Sequence, residues 1–149
     1  MVTKTFTNIP SEEPEECTND SKIYLESRIQ SIVEEDNVHS CTVHLSYSPS
    51  SQHGIDLSII THNPVHGTNF LFYKTWGLSE ENALRNAYDY LSNHRVYEST
   101  YTMEWKEKGG KITTSYFTGK SMLDVLHKFY FNKTEENYTI FLIKLNPIS

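Results

Sequence analysis

The hydrophobic and polar positions of this chain change period several times, and each change marks an element. Residues 22–36, KIYLESRIQSIVEED, put Leu25, Ile29, Ile32 and Val33 on one stripe, with Glu26, Arg28, Glu34 and Glu35 on the other side. Spacings of three and four predict a helix with one buried face, ended by Asp36-Asn37. From Val38 to Ser48 the period falls to two. His39, Cys41, Val43, Leu45 and Tyr47 alternate with Ser40, Thr42, His44 and Ser46, as the two faces of a strand require. After the loop Ser48–Gly54, Ile55 to Thr61 forms a second strand with Ile55, Leu57 and Ile59 on one side. His62–Gly67 is the next loop, and Thr68 to Trp76 a third strand carrying Phe70, Phe72, Tyr73 and Trp76. Ser79 then caps a helix, EENALRNAYDYLSNH, whose Leu84, Ala87, Tyr88 and Leu91 face inward. Glu80 and Glu81 in its first turn, with His94 and Arg95 near its end, suit the helix dipole.

The last third is the best-defined part. Tyr101, Met103 and Trp105 alternate with Thr102, Glu104 and Lys106; beyond Gly109-Gly110, Ile112, Thr114 and Tyr116 alternate with Thr113, Ser115 and Phe117. Glycine supplies the positive φ of a tight turn, so Lys108–Lys111 predicts a hairpin. The period then lengthens: Met122, Val125, Leu126 and Phe129 are helically spaced, behind a Ser121 N-cap with Asp124 three residues on. Asn132-Lys133 ends that helix. Residues 138–145, YTIFLIKL, are apolar at both parities until Lys144, which predicts an interior strand covered on both faces and packed through Ile140 and Leu142 on the helix. The element order α-β-β-β-α-β-β-α-β implies an α+β fold, an antiparallel-rich sheet with helices on one face.

Length and charge sharpen this picture. At 149 residues the default is one domain with room for a sizeable core. The net charge is −6. Residues 1–36 hold three bases and nine acids, residues 37–100 three and five, and residues 101–149 seven and five. The acidity is therefore an N-terminal feature. Residues 1–21, with Pro10, Pro14 and Glu12, Glu13, Glu15 and Glu16, read as an acidic disordered tail, and residues 22–149 as the domain. No run of 18 apolar residues predicts a membrane span, and MVTKTFTNIPSEEPEE has no apolar signal-peptide core, so the cytoplasm is expected. Cys17 and Cys41 form no CxxC pair or disulfide framework, which agrees with a reducing compartment.

Several chemistries can be set aside on residue type and spacing. The order of the first half is that of double-stranded RNA-binding domains, which reach phosphates through basic residues at the start of their last helix. Here that helix starts Ser79-Glu80-Glu81-Asn82, which repels a phosphate backbone. His62 and His66 flank Pro64 in a loop, so no helical i, i+4 metal pair forms, and no metal site or cofactor is expected. Cys41 shares a face with His39, but also with Val43 and Leu45, which predicts a core thiol rather than a nucleophile. Gly119-Lys120-Ser121 matches the end of a Walker A in three letters and lacks its upstream glycine. Catalytic residues are not expected.

The unusual figure is aromatic content, 13 % with ten tyrosines. Tyr101, Trp105 and Tyr116 lie on the hairpin beside Lys106, Lys108, Lys111 and Lys120. Tyrosine and tryptophan are enriched at protein interfaces, so these seven residues are the expected partner-binding set. The function expected is that of a small non-enzymatic binding protein acting through protein–protein contact. Such a protein could be an accessory factor or an inhibitor of the kind phages and mobile elements encode. The alternative is a nucleic-acid-binding module that uses the same lysines and aromatics to attract phosphates and stack bases, and the third reading an enzyme of unrecognised type. Self-association is compatible with all three.

Overall fold

The structure, a computed structural model, describes residues 19–36, 41–93 and 98–147. The element order is α1 (Asn19–Asp36), β1 (Thr42–Pro49), β2 (Ile55–Asn63), β3 (Thr68–Gly77), α2 (Glu80–Asn93), β4 (Ser99–Glu107), β5 (Thr113–Gly119), α3 (Met122–Tyr130) and β6 (Tyr138–Leu145). A short 3₁₀ turn, Glu135–Asn137, leads into β6. The α+β class and the element order are those the periodicities predict. The strands divide into two antiparallel sheets, one ordered β1-β2-β3 and the other β5-β4-β6.

Each sheet has its own core. On the first, Val43, Leu57 and Ile59 meet Leu25, Ile29 and Val33 of α1 and Ala83, Leu84, Ala87 and Leu91 of α2. On the second, Tyr101, Met103, Trp105 and Phe117 meet Val125 and Phe129 of α3. Local chemistry starts the helices where expected. The Asn82 amide donates to Ser79 Oγ at 3.1 Å, and the Asp124 amide to Ser121 Oγ at 3.1 Å. The Asp124 carboxylate accepts from the amide of Lys120, one residue ahead of the N-cap, and so ties the incoming chain to the helix start. Asn132, with φ at 54°, takes the left-handed conformation just past α3, and Gly109, with φ at 82°, turns the hairpin.

One boundary differs from expectation. Residues 19–21, assigned to the tail, belong to the first turns of α1, where Ser21 Oγ donates to Glu81 of α2. The rest of the expected tail, residues 1–18, lies outside the described residues, as do Val38–Ser40 of the first expected strand and His94-Arg95.

The larger correction concerns β6. Among the described residues it pairs with β4 alone and is the outermost strand of its sheet, not an interior one. A register shift between Glu104 and Trp105 leaves Phe141 as an extra residue opposite β4. That shift moves Leu142 to the outer face, paired with Glu104, while Ile140 and Ile143 pack on the core. Phe141 and Leu142 remain 54 % and 42 % exposed. Uniform hydrophobicity hid the bulge, because period-two reading needs a polar parity to locate the buried face.

The two layers are joined through Phe70 of β3, a buried residue of the first sheet that belongs to the second core. Its ring lies 4.8 Å from Phe117, 5.6 Å from Phe129 and 6.2 Å from Trp105. Lys133, past the end of α3, reaches back: its ammonium sits 4.7 Å from the Phe70 ring centre and donates to the Asn69 carbonyl. Desolvation at this joint lowers the Lys133 pKa to about 8, with Glu107 acting in the opposite sense.

Two predictions follow from this packing. Phe129→Ala empties a fully buried ring site and is expected to cost about 3–5 kcal/mol in urea unfolding, whereas Leu142→Ala, on the outer face, is expected to cost under about 1 kcal/mol. Equal losses would place Leu142 in the core. For Lys133, the unfolded chain holds the additional proton from about pH 8 up to the ordinary lysine value, so its contribution to stability rises with pH across that window. Cys41, whose thiol burial pushes upward, opposes this above its ordinary value of 9.0, so the slope is cleanest from pH 8 to 9. The stability of the native chain relative to Lys133→Met is expected to rise with pH over that unit. Parallel curves would show that Lys133 keeps its proton in the fold.

Candidate functional site

The seven residues expected to bind a partner are not brought together on one surface. Tyr101 and Trp105 are 5 % and 4 % exposed and sit in the second core, where Trp105 Nε1 donates to Ser115 Oγ at 3.0 Å. Parity decides this: the strand face that carries Met103 faces α3, and Tyr101 and Trp105 share it. Lys106 is half-buried on the opposite face, and Lys108 and Lys111 are exposed at the hairpin tip. Lys120 lies beyond β5, 5.0 Å over the Tyr90 ring. Tyr116 is 66 % exposed.

Tyr116 also belongs to a cleft of about 790 Å³ between the two sheets, a size within the ~300–1,000 Å³ range of sites that enclose a ligand. One wall is β5, from Thr114 through Thr118 without a gap. The opposite wall carries Phe70, Leu71 and Phe72 of β3, with Thr61 of β2 and Cys41 just before β1. Asn63 at the end of β2 and Val65 and His66 of the β2–β3 loop, with Thr100, Asn146 and Lys128, complete the lining. The surface is mostly aromatic and hydroxyl-bearing.

Side chains of successive strand residues point to opposite faces. An unbroken run such as Thr114–Thr118 therefore lines a space by turning its backbone edge toward it. β5 is the outermost strand of its sheet, and β3 is the outermost strand of the other. The orientation of the β5 edge can be read from two bonds. Lys128 Nζ donates to the Thr118 carbonyl at 2.7 Å, and the Asn146 amide donates to the Thr100 carbonyl at 2.9 Å. Thr100 and Thr118 are register partners whose carbonyls thus point away from each other. With unshifted β4–β5 register, Thr114, Tyr116 and Thr118 aim their backbone groups outward, and Ser115 and Phe117 aim theirs at β4.

Most ionisable groups here are tied to neighbours. Lys128 is buried and lies 3.7 Å from Glu98 and 3.6 Å from Asp124. Glu98 in turn accepts from Tyr90 Oη at 2.8 Å, and burial together with that carboxylate drives the Tyr90 pKa far above the ordinary phenol value. The charge on Lys128 is therefore matched inside the protein. Cys41 stands at the cleft wall, half-buried, not in the expected core. Burial pushes its thiol up, away from the thiolate a nucleophile needs. His62, the other member of the expected loop pair, bonds Asn69 through Nδ1 at 2.6 Å. His66 Nδ1 is enclosed at the cleft with no hydrogen-bond partner among the described residues. Its side chain is a polar feature that the sequence indicated only as a loop histidine.

What sequence reasoning missed is the cleft itself. It depends on two sheets meeting, and no periodicity within either sheet records that meeting. Tyr116 was the one residue of the expected set that reaches it. No protein-family model, curated protein or solved structure matches the chain.

Proposed function

We propose that the chain works by binding a partner protein rather than by catalysis, and that the cleft between the sheets is the contact surface. The observation that carries this reading is the unbroken run Thr114–Thr118, an edge to which no further strand pairs among the described residues, set in an aromatic-lined groove. Backbone edges recognise other backbones, and aromatic walls supply the desolvated contact area that protein partners use. The raised thiol of Cys41 and the internally matched charge of Lys128 argue against a nucleophile or an acid–base pair at this place. Among the described residues no helix is long and apolar enough to cross a membrane. A cytoplasmic role as an accessory factor or inhibitor remains part of this proposal.

The nucleic-acid reading loses two of its stacking residues, since Tyr101 and Trp105 lie in the core. It keeps exposed Lys108, Lys111 and Lys120, and the two readings separate by salt and by mutation. Phosphate contacts release counterions and weaken steeply with salt, whereas a packed protein interface depends on its aromatic anchors. Generic single- or double-stranded RNA or DNA is expected to show no measurable binding at physiological salt. In affinity capture from the native host, Tyr116→Ala is expected to lower recovery of the specific partner about tenfold, a hot-spot-sized loss. Replacing Lys106, Lys108, Lys111 and Lys120 together with alanine is expected to change it less than about threefold, as rim charges do. Micromolar, salt-sensitive nucleic-acid binding that disappears in the four-lysine variant would overturn the proposal.

A further inference from the structure

We infer that the cleft takes an extended, uncharged segment of the partner protein, which pairs as an added strand with the free edge of β5. This rests on the reading of the cleft as the partner surface and adds what kind of chain it accepts.

The first argument is the character of the edge. Sheet edges are ordinarily guarded against pairing by charge, proline or a bulge. β1 ends in Pro49, β3 carries Lys74 and an irregular register against β2, and β6 carries Lys144 and the bulge at Phe141. β5, TTSYFTG, has no charge, no proline and an unbroken register with β4. Among the described residues β5 is thus an edge with none of these guards, and it lines the cleft opposite β3.

The second argument is hydrogen-bond demand. Thr114 and Tyr116 turn their N–H and C=O groups outward, spaced as an added strand requires, while the Thr118 carbonyl is already taken by Lys128. Five residues from Thr114 to Thr118 span about 17 Å at ~3.4 Å per residue, room for a strand of similar length. The unpartnered His66 Nδ1 offers the incoming chain one further polar contact.

The third argument is charge. Lys128 is matched by Glu98 and Asp124, so a charged ligand side chain would be desolvated in the cleft without a counter-charge. Phe70, Phe72, Phe117 and Tyr116 suit apolar side chains instead. A strand presents one such set at every second residue.

The test uses the full chain and a phage-displayed library of random nonapeptides. Enriched peptides are expected to be uncharged, with apolar residues at alternate positions; no enrichment, or enrichment of charged sequences, would overturn the inference. For the best peptide, Thr114→Pro removes an outward N–H that β4 does not use and is expected to weaken binding at least tenfold, while Thr114→Ala keeps the N–H and is expected to stay within threefold. Should Thr114→Pro not fold, N-methylation at successive peptide positions replaces it: losses at alternate positions support pairing, and a flat profile overturns it. If Tyr116→Ala abolishes peptide binding but Thr114→Pro and N-methylation leave it intact, the cleft reading stands and strand pairing falls. If none of these changes matters, both fall. A dimer of the native chain that Thr114→Pro dissociates in sedimentation would assign the edge to a second copy and overturn the partner assignment.

Discussion

Phe70 lies on a strand of one sheet and in the core of the other, and the arrangement of the molecule depends on that placement. Its ring is held between Phe117 and Phe129 with Trp105 at its edge, a set of edge-to-face and stacked contacts that aromatic quadrupoles favour. α3 packs against β3 at the same place. Lys133 closes the joint from above, its ammonium over the Phe70 ring and bonded to the Asn69 carbonyl. Two three-stranded sheets, each covered by helices of its own, thereby share one boundary layer.

That joint is made by side chains, not by strand pairing, and this has a consequence for the edges. Had β3 and β5 hydrogen-bonded, the six strands would form one sheet and both edges would be satisfied. Because an aromatic cluster holds the layers instead, β5 keeps its outward backbone groups, and a cleft opens beside them. Lys128 answers one of those groups, the Thr118 carbonyl, and is itself held by Glu98 and Asp124. Fold and site are thus two results of one packing choice.

Much of the fold was legible because it is local. The stripe Leu25–Ile29–Val33, the caps at Ser79 and Ser121, and the glycine turn at Gly109 each depend on neighbours a few residues away. The face of β4 that is buried followed from helical cover, yet the sequence offered no reason to prefer it, since Tyr101 and Trp105 suit an interface as well as a core. β6 failed for a different reason. With apolar residues at both parities, the bulge at Phe141 left no trace in the pattern, and an outermost strand looked interior. The candidate site was the least legible part, because it joins residues of β2, β3 and β5 through a contact between sheets. Of the expected partner-binding set only Tyr116 reaches it.

The central claim is that β5 offers an unpaired backbone edge to the cleft, and amide hydrogen exchange of the free protein tests it most directly. The Thr114, Tyr116 and Thr118 amides, which face outward, are expected to exchange at least about tenfold faster than those of Ser115 and Phe117, which bond to β4. Uniform protection from Thr114 to Thr118 would contradict the account, since it would mean that the edge is already covered.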